Sequence, residues 1–198
     1  MANGFPALLI DRDGVIIENR PDYVRSWEDV VPLPRAISAL ARLHQPTHKV
    51  VMISNQSAIG RGLITLRQAE EINRRLVALL ETAGARIDGV FMCPHHPDEA
   101  CACRKPRPGL ILQATEGLGL DLRRSILVGD AISDLQAGRS AGVATLALVR
   151  TGLGRDQEQH LAGTDFAAVK VFDDLSAALK ELLPSAASDS SDGRRTEE

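Results

Sequence analysis

Two aspartates near the start of the chain have the type and spacing needed for chemistry on a phosphate ester. They are Asp11 and Asp13, which follow the apolar run Ala7–Ile10 and precede Gly14. Carboxylates two residues apart can face the same crevice, and a glycine lets the backbone turn away without a side chain in the path. One carboxylate can then attack phosphorus beside a bound Mg²⁺ while its neighbour transfers protons. The alternative is an ordinary Asp-Gly surface turn.

A second pair of carboxylates follows a later apolar run. Asp130 comes directly after the apolar stretch 126–128 and Gly129, and Asp134 lies four residues further on. If a helix has begun there, this spacing puts both side chains on one helix face, and carboxylate oxygens are ligands that suit Mg²⁺. The alternative is that one of the two caps the N-terminus of the helix.

Two further segments offer groups that bind phosphate oxygens. Ser54, Asn55 and Gln56 provide a hydroxyl and two amides at the end of an apolar run, and Lys105 provides a compact cation. Pro108 is suited to the first turn of the following helix. The alternatives are an ordinary loop for the first segment and a solvated basic turn for the second.

The three cysteines of the chain are odd in number and closely spaced. Cys93, Cys101 and Cys103 fall within eleven residues, together with His95 and His96. In an extended segment alternate side chains face the same side, so Cys93 pairs with His95, Cys101 pairs with Cys103, and His96 faces away. Three thiolates and one imidazole form the closed ligand set of a structural Zn²⁺ site. The alternatives are free thiols around a His-rich turn and a zinc-ribbon module that binds nucleic acid.

Short apolar runs that alternate with helical segments predict the elements that position these residues. We expect buried strands over 7–10, 49–54, 89–92, 125–128, 144–149 and 168–172. We expect helices over 34–43, 66–83, 108–118, 133–141 and 174–183. This pattern is typical of a doubly wound α/β fold, a mainly parallel sheet covered by helices on both faces. Ligands of such a sheet bind at the carboxyl ends of its strands, where the polar segments fall. Thr65 and Gln68 are spaced as a capping box for the second helix.

Composition limits the classes of protein that fit. The chain has 198 residues, 44% of them hydrophobic, which suits one domain with one core. We expect that domain to span 1–184, with a zinc loop at 93–103, and the polar segment 185–198 to be a disordered tail. A net charge of −3 and 3% aromatic residues argue against nucleic acid and membrane as partners. We expect a monomer in the cytoplasm that acts on a small phosphorylated sugar.

In their order along the chain, the four polar segments resemble the four motifs of the haloacid dehalogenase-like phosphatase superfamily, over about residues 7–152. The resemblance implies that Asp11 forms an aspartyl-phosphate and that Asp13 is first the general acid and then the general base. It implies that catalytic Mg²⁺ is held by the carboxylates of Asp11 and Asp130 and by the backbone carbonyl of Asp13. Asp134 is expected to support Asp130 or Lys105. The residues implied to bind phosphate oxygens are Ser54, Asn55 and Lys105.

The cysteine loop narrows the resemblance to a zinc-containing branch of the superfamily, which holds heptose-bisphosphate and histidinol-phosphate phosphatases. The stretch NQSAIGRG at 55–62 is more similar to the heptose enzymes. The resemblance therefore implies a Mg²⁺-dependent heptose-bisphosphate phosphatase with a structural Zn²⁺. The alternatives are a histidinol-phosphate phosphatase and a catalytically silent metal-binding protein on the same fold. We expect no large cap domain. In its place, we expect the zinc loop to form a wall of the substrate pocket. The cations expected there for a second phosphate are Arg61, Arg104 and Arg107.

Overall fold

The centre of the computed structural model, which describes residues 4–43 and 47–183, is one sheet of six parallel strands. The strands are β1 Ala7–Ile10, β2 Lys49–Asn55, β3 Gly89–Cys93, β4 Ile126–Gly129, β5 Thr145–Val149 and β6 Lys170–Phe172. Their order across the sheet is β3-β2-β1-β4-β5-β6, and all neighbours are parallel. The doubly wound fold class is confirmed, and each of the expected strands forms with ends shifted by at most two residues. The expectation that all of them are buried was wrong for β3 and β6, which lie at the edges of the sheet and are only partly buried.

The described part of the chain has seven α-helices, of which six lie between strands and the last follows β6. They are α1 Pro34–Ala41, α2 Ser57–Gly60, α3 Leu66–Thr82, α4 Gly109–Leu118, α5 Ile132–Ala141, α6 Gly154–Glu158 and α7 Leu175–Leu182. Single 3₁₀ turns lie at Trp27–Asp29, Pro97–Glu99 and Leu122–Arg124. The short helices α2 and α6 were not expected, because four or five residues are too few to show a helical period. At the start of α3 the capping box is confirmed: Thr65 Oγ1 accepts from Gln68 N at 3.2 Å, and Gln68 Oε1 accepts from Thr65 N at 2.8 Å.

Strand β1 lies in the middle of the core, and none of its residues is exposed. Leu8 and Ile10 pack on one face of the sheet with residues of α1, α3 and α7. Ala7 and Leu9 pack on the opposite face with residues of α4 and α5. Because successive side chains of a strand point to opposite faces, helices must cover both sides of this strand.

Over residues 4–43 and 47–183, the chain has one sheet and no separate cap domain. In the same ranges, the helices are all too short or too polar to cross a membrane. The expected tail 185–198 and the expected domain end at residue 184 lie outside the described residues.

Candidate active site and metal centre

The candidate site lies at the carboxyl ends of β1 and β4, where the chain order reverses across the sheet. The register pairs Ile10 with Val128, and the N–H of Asp11 donates to the carbonyl of Val128 at 3.1 Å. This register sets Asp11 beside Asp130. A cavity of about 320 Å³ opens at this place, where a parallel sheet of this type binds its ligands.

Lys105 is the cation at the floor of the cavity. Its side chain is 3% exposed, and Nζ lies 2.9 Å from Asp11 Oδ1 and 2.6 Å from Asp134 Oδ1. Nζ also donates to the carbonyl of Ile53 at 2.9 Å. Burial opposes the charged form of Lys105, but the two carboxylates outweigh it and raise the pKa of the lysine above its ordinary value. The ammonium group is therefore charged at every physiological pH.

The carboxylates around Lys105 are crowded and largely buried. Oxygens of Asp11, Asp130 and Asp134 lie within 4.8 Å of one another. Burial raises the pKa of Asp130 to about 8, and the charges of Asp11 and Asp134 act in the same direction. Burial also raises the pKa of Asp11 to about 7, although Lys105 opposes the shift. Since a divalent cation would relieve this repulsion, the donor set fits Mg²⁺.

Two glycines leave room for the carboxylate of Asp130. A Cβ at Gly14 or at Gly152 would collide with Asp130 Oδ2, and both glycines have positive φ angles, +83° and +58°. The same oxygen accepts from the N–H of Leu153 at 2.8 Å. Close approach of the backbone therefore fixes this carboxylate from two sides.

Asp13 faces the same cavity from the end of β1. Its carboxylate accepts from Gln56 Nε2 at 2.9 Å and from Arg12 Nε and Nη2, each at 3.1 Å. Ser54 Oγ lies 3.5 Å away and itself accepts from Gln56 Nε2 at 2.6 Å. Asp13 is therefore held mainly by the guanidinium group next to it in the sequence.

The two residues expected to bind phosphate from β2 have different surroundings. Ser54 is 1% exposed and lies behind the residues that line the cavity. Asn55 lines the cavity, but its side chain accepts from Lys105 N and donates to Lys105 O, both at 3.1 Å. Asn55 thus fixes the backbone of the lysine, a contact that the sequence did not indicate.

Two of the three expected arginines line the cavity, and the third does not. Arg61 stacks over Tyr23 with 5.8 Å between its Cζ and the ring centroid. Nη1 of Arg104 is buried with no hydrogen-bond partner among the described residues. Arg107 was expected to face the cavity, and it does not line it. Its guanidinium donates instead to the carbonyls of Ala100 and Cys101 in the zinc loop.

The expected zinc ligands converge at one point beside the cavity. The sulfur atoms of Cys93, Cys101 and Cys103 are 3.3–3.5 Å apart, and His95 Nδ1 lies 3.2 Å from Cys103 Sγ and 3.4 Å from Cys93 Sγ. Sulfur atoms about 2.3 Å from a tetrahedral Zn²⁺ would be about 3.8 Å apart, so the donor set and its spacing fit that ion. His96 faces away, and its Nδ1 accepts from Asp98 N at 3.3 Å.

The zinc loop packs tightly against two helices. A Cβ at Gly109, the first residue of α4, would collide with the carbonyl of Ala102 and lie 2.9 Å from the Cα of Cys103. A Cβ at Gly60, the last residue of α2, would collide with the backbone of His96. Since Lys105 follows Cys103 by two residues, this packing links the thiol cluster to the cavity floor.

Two polar residues of the site, Arg12 and Asn73, were not identified from the sequence, and neither was the contact of Gln56 with Asp13. Asn73 lies on α3 and is 4% exposed, on the face that also buries Ile72 and Leu76. The position of this amide in the apolar pattern of the helix could have indicated a buried polar contact, because a buried polar group needs a partner.

A parallel sheet with paired aspartates after its first strand, a buried lysine and further carboxylates after β4 defines a haloacid dehalogenase-like phosphatase. A family model described as HAD-hydrolase-like matches residues 102–178. The chain is 39% identical over 176 residues to D-glycero-β-D-manno-heptose-1,7-bisphosphate 7-phosphatase of Pseudomonas aeruginosa, which covers 89% of this chain and 97% of that protein. The corresponding protein of Bordetella bronchiseptica is 37% identical over 179 residues, covering 90% of this chain and 98% of that protein. The chain therefore belongs to the haloacid dehalogenase-like family and is a phosphoric monoester hydrolase.

Solved structures agree with this assignment. The crystal structure of D,D-heptose 1,7-bisphosphate phosphatase from B. bronchiseptica, complexed with magnesium and phosphate, has a TM-score of 0.83 at 36% identity. It covers 90% of this chain and 98% of that chain. The enzyme from Burkholderia thailandensis has a TM-score of 0.69 at 29% identity, covering 91% of this chain and 99% of that one.

Proposed function

We propose that the chain hydrolyses the 7-phosphate of D-glycero-β-D-manno-heptose 1,7-bisphosphate, in the biosynthesis of nucleotide-activated heptose. The observation that carries the proposal is the buried ammonium group of Lys105 between Asp11 and Asp134, in a cavity that also contains Arg104. One phosphate at the floor and a second beside the guanidinium of Arg104, which lines the cavity, suit a bisphosphate. The names of the relatives support the choice of sugar.

In the first step, a carboxylate oxygen of Asp11 attacks the phosphorus atom and forms an aspartyl-phosphate, while the bond to the sugar oxygen breaks. Asp13 donates a proton to the leaving alkoxide. Lys105 balances the charge of the transferring group, and its three fixed contacts keep it in place before the substrate arrives.

In the second step, Asp13 is the base that takes a proton from a water molecule as the water attacks the aspartyl-phosphate. Phosphate leaves, and Asp11 is restored as a carboxylate. Asp13 suits both roles because it lies two residues from Asp11 and its carboxylate is 22% exposed toward the cavity.

Among the described residues, the site has four carboxylates and two buried cations, Arg12 and Lys105, so a divalent cation would balance the buried charge. We propose that Asp11 and Asp130 hold Mg²⁺ through their carboxylates and Asp13 through its backbone carbonyl. Bound there, Mg²⁺ would act as a Lewis acid that polarises the phosphoryl group. Zn²⁺ would bind the thiolates of the loop 93–103 and Nδ1 of His95 and would hold the pocket wall in place.

A panel of substrates tests the proposal. Phosphate release would be measured with both anomers of the heptose bisphosphate, fructose 1,6-bisphosphate and histidinol phosphate, for the wild type and for Asp11→Asn. We expect the highest kcat/KM with the β anomer and a loss of at least about 10³-fold in Asp11→Asn. A higher kcat/KM for histidinol phosphate would reassign the substrate. Equal rates for Asp11→Asn and the wild type would refute the mechanism.

A further inference from the structure

We infer that Arg12 is a positioning residue that fixes the carboxylate of Asp13 from inside the protein. The inference rests on the proposed function, in which Asp13 transfers the protons. Nε of Arg12 donates to Asp13 Oδ2 and Nη2 to Oδ1, each at 3.1 Å. The outer edge of the guanidinium is held as well: Nη1 donates to Asn73 Oδ1 and Nη2 to Gln56 Oε1, both at 2.8 Å.

The turn after β1 makes this contact between neighbouring residues possible. In a continuing strand the side chains of Arg12 and Asp13 would point to opposite faces. Here the N–H groups of Ile16 and Ile17 both donate to the carbonyl of Arg12, at 2.9 and 3.1 Å, and Gly14 has φ +83°. The chain therefore folds back at once, and both side chains reach the same space.

Burial makes the pairing obligatory. Arg12 is 1% exposed, so its charge is removed from water. Among the described residues that its guanidinium contacts, Asn73 and Gln56 are neutral, and only Asp13 carries a charge. A buried charge without a counter-ion is strongly unfavourable, so the carboxylate of Asp13 cannot leave Arg12 freely. Its position is set by the protein before any substrate binds.

Asn73 is the residue of α3 that binds the guanidinium of Arg12, and it has no hydrogen bond of its own with Asp13. Asn73 is 4% exposed on the apolar face of that helix, and its amide nitrogen contacts only Met92 Sδ, at 3.4 Å, among the described residues. Its amide oxygen receives Arg12 Nη1. Removing this amide should therefore affect Asp13 only through the guanidinium, which gives a test that leaves Arg12 in place.

A displaced Asp13 should slow those steps in which a proton moves. A sugar alkoxide is a poor leaving group and needs a proton, whereas a dinitrophenolate leaves without one. We would compare the rate of the first turnover for heptose 1,7-bisphosphate and for 2,4-dinitrophenyl phosphate. The variants are Arg12→Met, Arg12→Lys and Asn73→Leu. The control is Arg74→Met, since Arg74 lies on the same helix but is exposed and, within the described ranges, is paired only with Glu71.

We expect Arg12→Met to slow the first turnover of the heptose bisphosphate about 100-fold, with Arg12→Lys between it and the wild type. Asn73→Leu should slow it about 5-fold, since the fork on Asp13 remains. The first turnover of the aryl phosphate should change less than about 3-fold in all of them, and Arg74→Met should match the wild type. KM for the heptose bisphosphate should stay constant.

Equal losses with both phosphates would mean that Arg12 only stabilises the fold, and no loss with the heptose bisphosphate would also overturn the inference. If Arg12→Met fails to fold, the ratio of the two rates in Asn73→Leu decides. Failure of the proposed substrate would look different: the wild type would then release dinitrophenolate but no phosphate from the heptose bisphosphate. The comparison would in that case use the alkyl phosphate that the panel selects.

Discussion

At Lys105, one buried ammonium group faces two carboxylates, and its position is fixed at several points. The side chain of Asn55 bonds both the N–H and the carbonyl of this residue, and Nζ reaches the carbonyl of Ile53. A cation held this rigidly costs little reorganisation when a phosphate binds, which is the condition for strong electrostatic stabilisation of a transition state.

Replacing Lys105 by methionine should therefore reduce kcat about 10³-fold, because the charge of the transferring phosphoryl group loses its counter-ion. The same change leaves Asp11 and Asp134 facing each other without a cation, so the free energy of unfolding in metal-free buffer should fall. Steady-state kinetics and thermal unfolding measure the two effects. Lys180→Met, at an exposed position on α7, is the control and should change neither. A Lys105→Met variant that kept a tenth of the activity would contradict the role of this lysine.

Which of these residues the sequence reveals depends on how they are placed. Asp11, Asp13 and Asp130 lie within three residues after apolar runs, and parallel strands must bring such residues to one edge of the sheet. The contact of Arg12 with Asn73 joins positions 61 residues apart, and no spacing rule predicts it. The contact of Asn55 with Lys105 was equally unpredictable from spacing, because it depends on how the segment after the zinc loop packs against β2.

At the scale of elements, the zinc loop makes a test possible that uses two adjacent histidines. His95 lies among the three sulfur atoms, whereas His96 faces Asp98. His95→Asn should lower the zinc content from about one per chain and reduce thermal stability, because one of four ligands is lost. His96→Asn should keep both. Elemental analysis and thermal unfolding decide, and equal zinc content in the two variants would refute the proposed ligand set.

The packing of α4 on the zinc loop gives a second prediction at this scale. At Gly109 a Cβ meets the backbone of the loop, while at Gly117 in the same helix it meets only Phe91 Cζ at 3.9 Å. Gly109→Ala should destabilise the protein by about 1–3 kcal/mol and lower kcat, since the loop carries Lys105 away from the cavity floor. Gly117→Ala should be neutral or stabilise by up to about 1 kcal/mol. Denaturant unfolding of both variants measures the difference, and equal effects would contradict it.

Elements with a clear period were predictable, and those set by tertiary contact were not. The capping box at Thr65 begins α3 at the residue that the sequence predicts. The central strands form because burial in the core is the favourable environment for their apolar runs. Helix α2 at Ser57–Gly60 has one turn. The N–H groups of Ile59 and Arg61 donate to the carbonyls of Gln56 and Ser57, between the site and the zinc loop. Such a turn is determined by what surrounds it.

At the scale of the whole molecule, the sheet brings four carboxylates of described residues to one edge, beside two buried cations, Arg12 and Lys105. Burial raises the pKa of Asp11 to about 7 and that of Asp130 to about 8, and the neighbouring carboxylates act in the same direction. Between the ordinary value of 3.8 and these values, the folded protein holds protons that the unfolded chain has released. Without metal, the contribution of these groups to stability is therefore fully present below about pH 4 and is lost as the pH rises toward about 8.

Mg²⁺ bound as proposed should reverse this trend, because it would bind the deprotonated carboxylates as the folded protein brings them together. We expect the rise in Tm caused by saturating Mg²⁺ to be larger at about pH 8 than at about pH 6, where both carboxyl groups must first lose a proton. Asp130→Asn should remove most of the difference between the two pH values, whereas Asp165→Asn, at an exposed position outside the site, should leave it unchanged. Thermal unfolding with and without Mg²⁺ at the two pH values measures these shifts. An equal rise in Tm at both would show that these carboxylates do not bind the metal in the way proposed.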